Sequence, residues 1–367
     1  MTERDTRTQL WVGTYPQPGG APGSGESIWR VALGPDGAVE SAVPAVAATS
    51  PSFLALHPSG STLYAVGETP AGTVTAFRVE APRDGAAAGP GDVRLAPSGS
   101  LASGGDDPCH VLALEDTVWL ANYGDGVAAC VDVDPATGDL VAEGVVAHPG
   151  VGSGPVVERQ AGPHAHFLAQ VGDDVLVCDL GADVVRRYPA AGAEPGAAAD
   201  VAAVLPPGTG PRHLVALPDG SLVVVGELDA RAHVLVRDGA GWAPAAAVPV
   251  SPSAQAGRDF PAHVTLSADG ARLHVGLRGA DVLAVLAVGS DGAAPVLEHL
   301  GDVPLGDGAW PRHHAVLTGG ADDAERVVVA LQGRSELATV RLDPATGAGE
   351  VVARHALPTP PACVLES

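Results

Sequence analysis

One short motif recurs seven times along the chain and constrains the fold more than any other feature. Each copy has a proline, two further residues, an apolar run, a turn and a second apolar run, and the last copy stops after its first run. The copies begin at Pro51, Pro108, Pro163, Pro211, Pro261, Pro311 and Pro361. Successive prolines are 57, 55, 48, 50, 50 and 50 residues apart. This period is close to the roughly 40 to 50 residues of a four-stranded propeller blade.

A second hairpin follows each copy, as in GVAACVDVDPATGDLVAEGVV and ELATVRLDPATGAGEVVARH. The Asp-Gly and Thr-Gly pairs in these hairpins suit the positive φ angles of tight β-turns. The 48 glycines and 33 prolines are spread over the whole chain, which favours many short strands over long helices. We therefore predict an all-β, seven-bladed propeller with four antiparallel strands per blade, forming a single domain over residues 1–367.

The two ends of the chain complete one blade between them. The seventh copy, PACVLES, supplies one strand, and residues 9–50 supply the three strands that this copy lacks. We expect residues 361–367 to pair with the strand near residues 9–15 and so to close the ring. Closure removes sheet edges that would otherwise be open to aggregation.

Charge and targeting signals narrow the class of partner. The formal net charge is −23 and all 20 basic residues are arginine, so nucleic acid and anionic membranes are poor partners and a small molecule is expected.

The N-terminal region has no apolar stretch typical of a signal peptide, and we expect a cytoplasmic protein. The four cysteines are far apart, which predicts buried thiols. The oligomeric state stays open.

Polar side chains are expected to gather at one mouth of the central channel. In each blade the start of the innermost strand lies beside the end of its antiparallel neighbour. The strand starts supply His110, His164, His166, Arg212, His213, His263, Arg312, His313 and His314. The ends of the second strands supply Glu68, Asn122, Asp179, Glu227, Arg278 and Gln332. The pattern predicts a concave polar pocket.

Some of these residues have a structural alternative. A histidine that begins an inner strand can bond to a neighbouring blade, and this role is favoured for His110 and His263 taken singly. Asn122 and Asp179 can cap turns. The arginines fit this alternative less well, because a desolvated guanidinium is costly without an anion or acid to bind. Guanidinium groups interleaved with the histidines also argue against a metal site, and we expect no cofactor.

The segments GTYP, PSFLALHPSGSTLYAVGE, HAHF, DLGADVV, GTGPRHLVALPDG, GEL and LRG together resemble the lactonase family of seven-bladed propellers. That family includes bacterial 6-phosphogluconolactonases and the fungal carboxy-cis,cis-muconate cyclase. The resemblance implies functional residues at His164 or His166, Arg212, Glu227 and Arg278. The chain departs from the usual family residues at two places, both expected at the pocket rim. Gly67 stands where the family usually has Asn, and GLRG stands where Ser-Asn-Arg-Gly is more common.

The expected reaction is hydrolysis of a sugar lactone, with 6-phospho-D-glucono-1,5-lactone as the first candidate substrate. His164 or His166 and Glu227 would supply acid–base chemistry, and Arg212 would stabilise the oxyanion. Arg312 or Arg278 would hold a phosphate. The remaining substrate contacts are expected from Glu68, His110, Asp179, His213, Arg312 and His313.

Two other functions use the same fold. The same residues could run a lactonising cyclisation of a muconate-like diacid. A non-catalytic propeller would instead bind a partner or sugar through its outer loops. The segments near 81–107 and 142–162 consist mostly of Ala, Gly, Asp and Pro. They have the composition of plain surface loops, which ranks the binding module third.

Overall fold

The computed structural model describes residues 8–80, 93–141, 144–194, 197–290, 292, 294–318 and 324–367. Parts of the two long loops named above, residues 81–92 and 142–143, lie outside these residues, as do residues 1–7. The described residues form seven sheets of four antiparallel strands each. The predicted all-β, seven-bladed propeller is confirmed. No helix within the described ranges has the length and apolar character needed to span a bilayer.

The first sheet joins the two chain ends and contains β1 (Thr8–Thr14), β2 (Ser27–Leu33), β3 (Val39–Ala47) and β28 (Pro361–Glu366). The second sheet contains β4 (Leu54–Leu56), β5 (Thr62–Gly67), β6 (Thr73–Glu80) and β7 (Arg94–Ala102). The third contains β8 (Pro108–Ala113), β9 (Thr117–Asn122), β10 (Val127–Asp132) and β11 (Val146–Pro149). The fourth contains β12 (Ala165–Val171), β13 (Asp174–Asp179), β14 (Val184–Pro189) and β15 (Asp200–Val204).

The fifth sheet contains β16 (Pro211–Ala216), β17 (Leu222–Gly226), β18 (Arg231–Asp238) and β19 (Gly241–Pro249). The sixth contains β20 (Phe260–Leu266), β21 (Arg272–Arg278), β22 (Val282–Ser290) and β23 (Pro295–Pro304). The seventh contains β24 (Pro311–Val316), β25 (Glu325–Leu331), β26 (Glu336–Leu342) and β27 (Gly349–Ala356). A one-turn helix, α1 (Val157–Gln160), and a 3₁₀ turn (Gln332–Arg334) complete the elements.

The innermost strands β28, β4, β8, β12, β16, β20 and β24 each contact the next one, so the ring is complete. Closure is as predicted: β28 pairs antiparallel with β1, from Leu10 opposite Glu366 to Thr14 opposite Pro361. Because the last strand of the chain is the innermost strand of its blade, ring closure depends on the C-terminus.

The core lies between the blades. Both faces of each sheet pack against a neighbouring sheet, and for this reason the second strands read as uninterrupted apolar runs. In β17, Leu222 and Val225 are fully buried, as is Val275 on the adjacent sheet, and Val225 and Val275 share one apolar cluster. Full burial of such a side chain stabilises the fold by about 1.5–3 kcal/mol. The four cysteines are free and buried, as their spacing predicts.

A bulge recurs near the start of the inner strands. In β8, β12, β16 and β24 the register shifts by one residue at the second strand position. Bulges re-aim a side chain, and here the inserted residues are Cys109, His166, Arg212 and Arg312. In β12 the strand begins two residues after Pro163, because Ala165 lies opposite Asp179 as Pro211 lies opposite Gly226. His166, and not His164, is therefore the counterpart of Arg212.

Candidate active site at the channel mouth

Six aromatic rings near the starts of the inner strands form a closed cycle of contacts, and we call them the aromatic floor. They are the side chains of Phe53, His110, Phe167, His213, His263 and His313. Neighbouring centroids lie between 3.9 and 5.1 Å apart, and the contact between Phe53 and His313 closes the cycle. Each ring belongs to the residue two positions after the proline that starts its copy of the repeat, except that Phe167 lies two positions after Ala165. The repeat thus builds a continuous base for a pocket.

The histidines of the floor are neutral. Burial, reinforced by Arg212 and by the other imidazoles, holds the pKa of His110, His213 and His263 well below its usual range and lowers that of His313 to about 3. The Arg212 guanidinium donates to His213 Nε2 (2.9 Å), so His213 Nδ1 carries the proton and donates to His263 Nδ1 (2.8 Å). The floor is hydrogen-bonded and uncharged.

A narrow pocket stands on this floor. It is lined by Phe53, Cys109, His166, Arg212, His213, Arg312, His313 and Ala362. The wall is formed by the bulge residues of several blades, and the structure brings together His166, Arg212, His213, Arg312 and His313 as the sequence predicts. His110 belongs to the floor beneath them. Burial raises the pKa of the Cys109 thiol far above its ordinary value, so Cys109 is no nucleophile.

Glu227 lies at the centre of a cluster of charged side chains beside the pocket. Its Oε2 accepts from Nε of Arg212 (2.8 Å) and Nη2 of Arg278 (2.7 Å), and its Oε1 accepts from Nη2 of Arg159 (2.5 Å). Burial alone would raise the pKa of Glu227, but the three guanidinium groups outweigh it and hold this pKa well below the usual range. Burial, with Arg278 nearby, lowers the pKa of Arg212 to about 9. The carboxylate stays ionised and firmly held.

A second charged cluster contains Tyr15, Glu68 and Arg312 and reaches the pocket through Arg312. The Tyr15 hydroxyl donates to Glu68 and accepts from Nη2 of Arg312 (2.5 Å), whose guanidinium lies 4.7 Å from the centre of the Tyr15 ring. Glu68 lies 3.8 Å from Arg312. Burial raises the pKa of Tyr15 well above its usual value, so the group stays a phenol. Glu68 and Arg312 are therefore brought together as a pair.

The register shows which second-strand residues reach the mouth. Gly226 is paired with Pro211, and the next residue, Glu227, enters the site. The equivalent residues are Tyr15, Glu68, Tyr123, Leu180, Arg278 and Gln332. Tyr15 and Tyr123 were not among the residues expected at the mouth, although GTYP and ANYG place a tyrosine directly after the strand end.

Asn122 and Asp179 lie one residue earlier than this set, and their side chains serve the scaffold. Asp179 Oδ1 accepts from the backbone N–H of His164, Gly181 and Ala182, and its Oδ2 accepts from Arg186. Asn122 Nδ2 donates to the carbonyls of Ser103 and Val127. The turn-capping alternative describes both residues. The substrate contact expected from Asp179 is thus replaced by contacts to its own loop.

The two places where the chain departs from the usual family residues correspond to the position of Asn122 and Asp179, one residue before the mouth. Gly67 pairs with Thr73 at the end of β5, and Leu277, opposite Pro261, is fully buried. The residues that reach the mouth are the following ones, Glu68 and Arg278, so each departure lies one residue before the mouth position.

His164 and His166 occupy different surroundings. His166 is buried in the pocket wall with its ring 5.3 Å from that of His213, and burial together with Arg212 holds its pKa well below the usual range. The His164 ring stacks on Tyr123 at 4.4 Å, and its Nδ1 donates to the Tyr123 carbonyl. Tyr123 also contacts His166 edge to face. Of these two histidines, only His166 lines the pocket.

The segment between β11 and β12 contributes a residue that the sequence analysis did not single out. Arg159, on α1, reaches Glu227 and donates to the Tyr123 hydroxyl (3.3 Å). The description of the 142–162 segment as a plain surface loop is therefore wrong. Its short helix carries a guanidinium into the site. Within the described ranges no group of three or more His, Cys, Asp or Glu side chains is arranged to hold a metal ion.

The model of the family described as "Lactonase, 7-bladed beta-propeller" matches residues 9–365. The chain belongs to this family. An uncharacterized protein of Staphylococcus saprophyticus is 30% identical over 260 residues, which cover 69% of this chain and 72% of that protein.

Solved structures of similar shape cover nearly the whole chain. The periplasmic gluconolactonase of Pseudomonas aeruginosa has a TM-score of 0.80 and 27% identity, over 98% of this chain and 99% of that one. A Bacteroides fragilis protein, provisionally named a 6-phosphogluconolactonase, has a TM-score of 0.80 and 23% identity, over 100% and 99% of the two chains. The second similarity supports the fold alone.

Proposed function

We propose that this lactonase-family chain hydrolyses a sugar lactone and that 6-phospho-D-glucono-1,5-lactone is its substrate. The observation that carries the proposal is one buried carboxylate shared by three guanidinium groups beside a neutral imidazole. Arg212 Nη2 has no acceptor within the part of the chain that the structure describes, so this N–H group is available to a ligand. The gluconolactonase from P. aeruginosa supports the lactone as the reacting group.

Arg212 is the group suited to stabilise the oxyanion. Lactone hydrolysis begins when water attacks the carbonyl carbon and the carbonyl oxygen becomes negative. Arg212 is 2% exposed and is fixed by Glu227 and by the carbonyl of Ala262, so its free N–H group needs no reorganisation during the reaction. A preorganised donor in a water-poor site typically contributes about 3–4 kcal/mol to transition-state stabilisation.

His166 is the base in this proposal. It takes a proton from the attacking water, and the imidazolium later returns a proton to the ring oxygen when the C–O bond of the lactone breaks. Its low pKa in the free protein makes it neutral but weakly basic. A bound phosphate brings negative charge near the pocket, and such charge raises the pKa of a histidine. Substrate binding would thus strengthen the base.

Glu227 takes a different role from the acid–base function expected from sequence. Its three guanidinium partners stabilise the carboxylate form, and such a carboxylate is a poor proton acceptor. In the proposed mechanism Glu227 fixes the orientation of Arg212 and Arg278.

A comparison of two lactones tests this function. Hydrolysis of 6-phosphoglucono-1,5-lactone and of glucono-1,5-lactone would be followed by a stopped assay against a protein-free blank, because both lactones open spontaneously. We expect faster enzymatic hydrolysis of the phosphorylated lactone. Rates equal to the blank for both compounds, with consumption of a carboxymuconate, would replace hydrolysis by the cyclisation alternative.

A further inference from the structure

The four guanidinium groups at the mouth lie at different depths. The exposed fractions of their side chains are 2% for Arg212, 8% for Arg278, 18% for Arg312 and 36% for Arg159. Arg212 is therefore the deepest and Arg159 the outermost. A substrate whose carbonyl reaches Arg212 leaves its exocyclic substituents nearer the opening, where Arg159 stands.

Charge is unevenly shared between the cluster around Glu227 and the cluster around Arg312. Arg312 has its own carboxylate, Glu68, at 3.8 Å, together with the Tyr15 hydroxyl. Arg159, Arg212 and Arg278 share the single carboxylate of Glu227. Positive charge is in excess on the Glu227 side, and an anionic substituent is attracted there more strongly than to Arg312.

The position of Arg159 is built into the loop. The next residue, Gln160, is fully buried and donates from Nε2 to the Leu180 carbonyl (2.9 Å) and to Asp183 Oδ1 (2.8 Å). Its Oε1 accepts from the backbone N–H of Val156 (3.1 Å), which holds α1 against the blade. The segment is thus anchored beside the site, and its guanidinium is presented to the opening.

Arg159 also retains donors for a ligand. Its Nη2 serves Glu227 and Tyr123, whereas Nε and Nη1 have no acceptor within the described residues. A guanidinium binds a phosphate most strongly through two parallel N–H groups. We propose that Arg159 is the residue that recognises the phosphate of the substrate and sets the preference for phosphorylated over unphosphorylated lactones. This inference rests on the proposed lactonase function and replaces Arg312 and Arg278 as the expected phosphate ligands.

The test compares Arg159→Gln and Arg159→Lys with the native protein on both lactones. Loss of a charge-assisted contact to phosphate should lower the ratio of kcat/KM for the phosphorylated lactone to that for glucono-1,5-lactone by about ten- to a hundred-fold. The change should fall mainly on KM, and Arg159→Lys should restore part of the ratio. Arg78→Gln, which removes an exposed pair with Asp139, is the matched control and should leave the ratio unchanged.

Two results would overturn the inference. Unchanged kcat/KM values on both lactones would exclude contact with the phosphate. Equal losses on both lactones would show that Arg159 acts through Glu227 and not on the substrate. Calorimetric binding of 6-phosphogluconate and of gluconate separates this inference from the proposed function, because it requires no turnover. If neither lactone is hydrolysed, tighter binding of 6-phosphogluconate that Arg159→Gln abolishes would retain the inference, and equal or absent binding would end it.

Discussion

Arg212 donates from Nε to Oε2 of Glu227 at 2.8 Å, and the two side chains are only 2% and 5% exposed. The same oxygen accepts from Arg278 at 2.7 Å. A buried ion pair adds little net stability when it is intact, because desolvation offsets the attraction, but the loss of one partner leaves an uncompensated buried charge. Glu227 is therefore required by the fold as well as by the site.

Glu227→Gln should destabilise the protein strongly. The amide keeps the shape of the side chain but removes the charge that holds three guanidinium groups together. We expect a loss of about 3–5 kcal/mol in the free energy of unfolding, measured by urea denaturation at neutral pH. Glu336→Gln is the control, since Glu336 pairs with the partly exposed Arg334 and Arg354. It should cost less than about 1 kcal/mol, and equal losses for the two variants would contradict the assignment of Glu227 as a buried charge centre.

Arg212→Lys should reduce turnover while preserving a positive charge. An ammonium group cannot reproduce the planar arrangement of N–H donors of the guanidinium. The donor directed at the oxyanion is therefore lost. We expect kcat for lactone hydrolysis to fall by about 10²- to 10³-fold, with a folded protein by circular dichroism. A folded variant with native kcat would refute the oxyanion role.

His166→Gln and His164→Gln should separate the two histidines of the HAHF segment. Removal of a general base typically costs about 10²- to 10⁴-fold in rate, and we expect this loss in kcat for His166→Gln. His164 lies behind Tyr123 and outside the pocket lining, so its replacement should act mainly on stability through the stacked pair. A larger kcat loss for His164→Gln in steady-state assays would reverse the assignment.

The period of the repeat was sufficient to predict the propeller because each copy carries the same signals: apolar runs, tight turns and a starting proline. It also predicted the mouth as the meeting place of Arg212, Glu227 and Arg278, since antiparallel pairing brings the strand ends of one blade together and the propeller places the next blade beside it. Closure of the ring followed from the truncated last copy.

Which of two adjacent residues faces the site could be decided only from the register of strand pairing in the structure. In a strand, a shift of one residue moves a side chain to the other face. Asn122 and Asp179 therefore fell on the scaffold face and Tyr123 on the site. The bulge, which makes His166 equivalent to Arg212, leaves no local signature in HAHF. Arg159 lies on α1, a short helix that the other described connections between blades lack, so a comparison between blades could not single it out.

Removal of residues 361–367 should open the ring. These residues form β28, which pairs with β1 and also supplies Cys363 and Val364 to the buried core. The truncated protein would expose the edge of β1 and lose contacts on both sides of one blade. We expect a clearly lower melting temperature and concentration-dependent aggregation, followed by calorimetry and light scattering. An unchanged melting temperature would contradict ring closure through this strand.

The histidines of the aromatic floor should make the fold sensitive to acid. Burial keeps the pKa of His110 well below its ordinary value of about 6.5, with His313 and Arg212 adding to the effect. Below about pH 6.5 the unfolded chain binds a proton at His110, whereas the folded chain does not. The free energy of unfolding therefore falls as the pH falls through about 6.5. Each such histidine costs about 1.4 kcal/mol per pH unit in the free energy of unfolding once the unfolded form is protonated.

His110→Phe should remove the contribution of His110 to the loss of stability at low pH. The ring of His110 lies between Phe53 at 4.1 Å and Phe167 at 4.3 Å, and those phenylalanines occupy the equivalent positions in their own blades, so a benzene ring fits the site. The stability of the variant relative to the native protein should rise by about 1.2 kcal/mol between pH 7 and pH 5.5, measured by urea denaturation at both values. His355→Phe, at a partly exposed position on the outer strand β27, is the matched control for the substitution itself. A constant difference for His110→Phe would mean that His110 gains a proton in the folded protein as readily as in the unfolded chain, and the floor would then not be neutral.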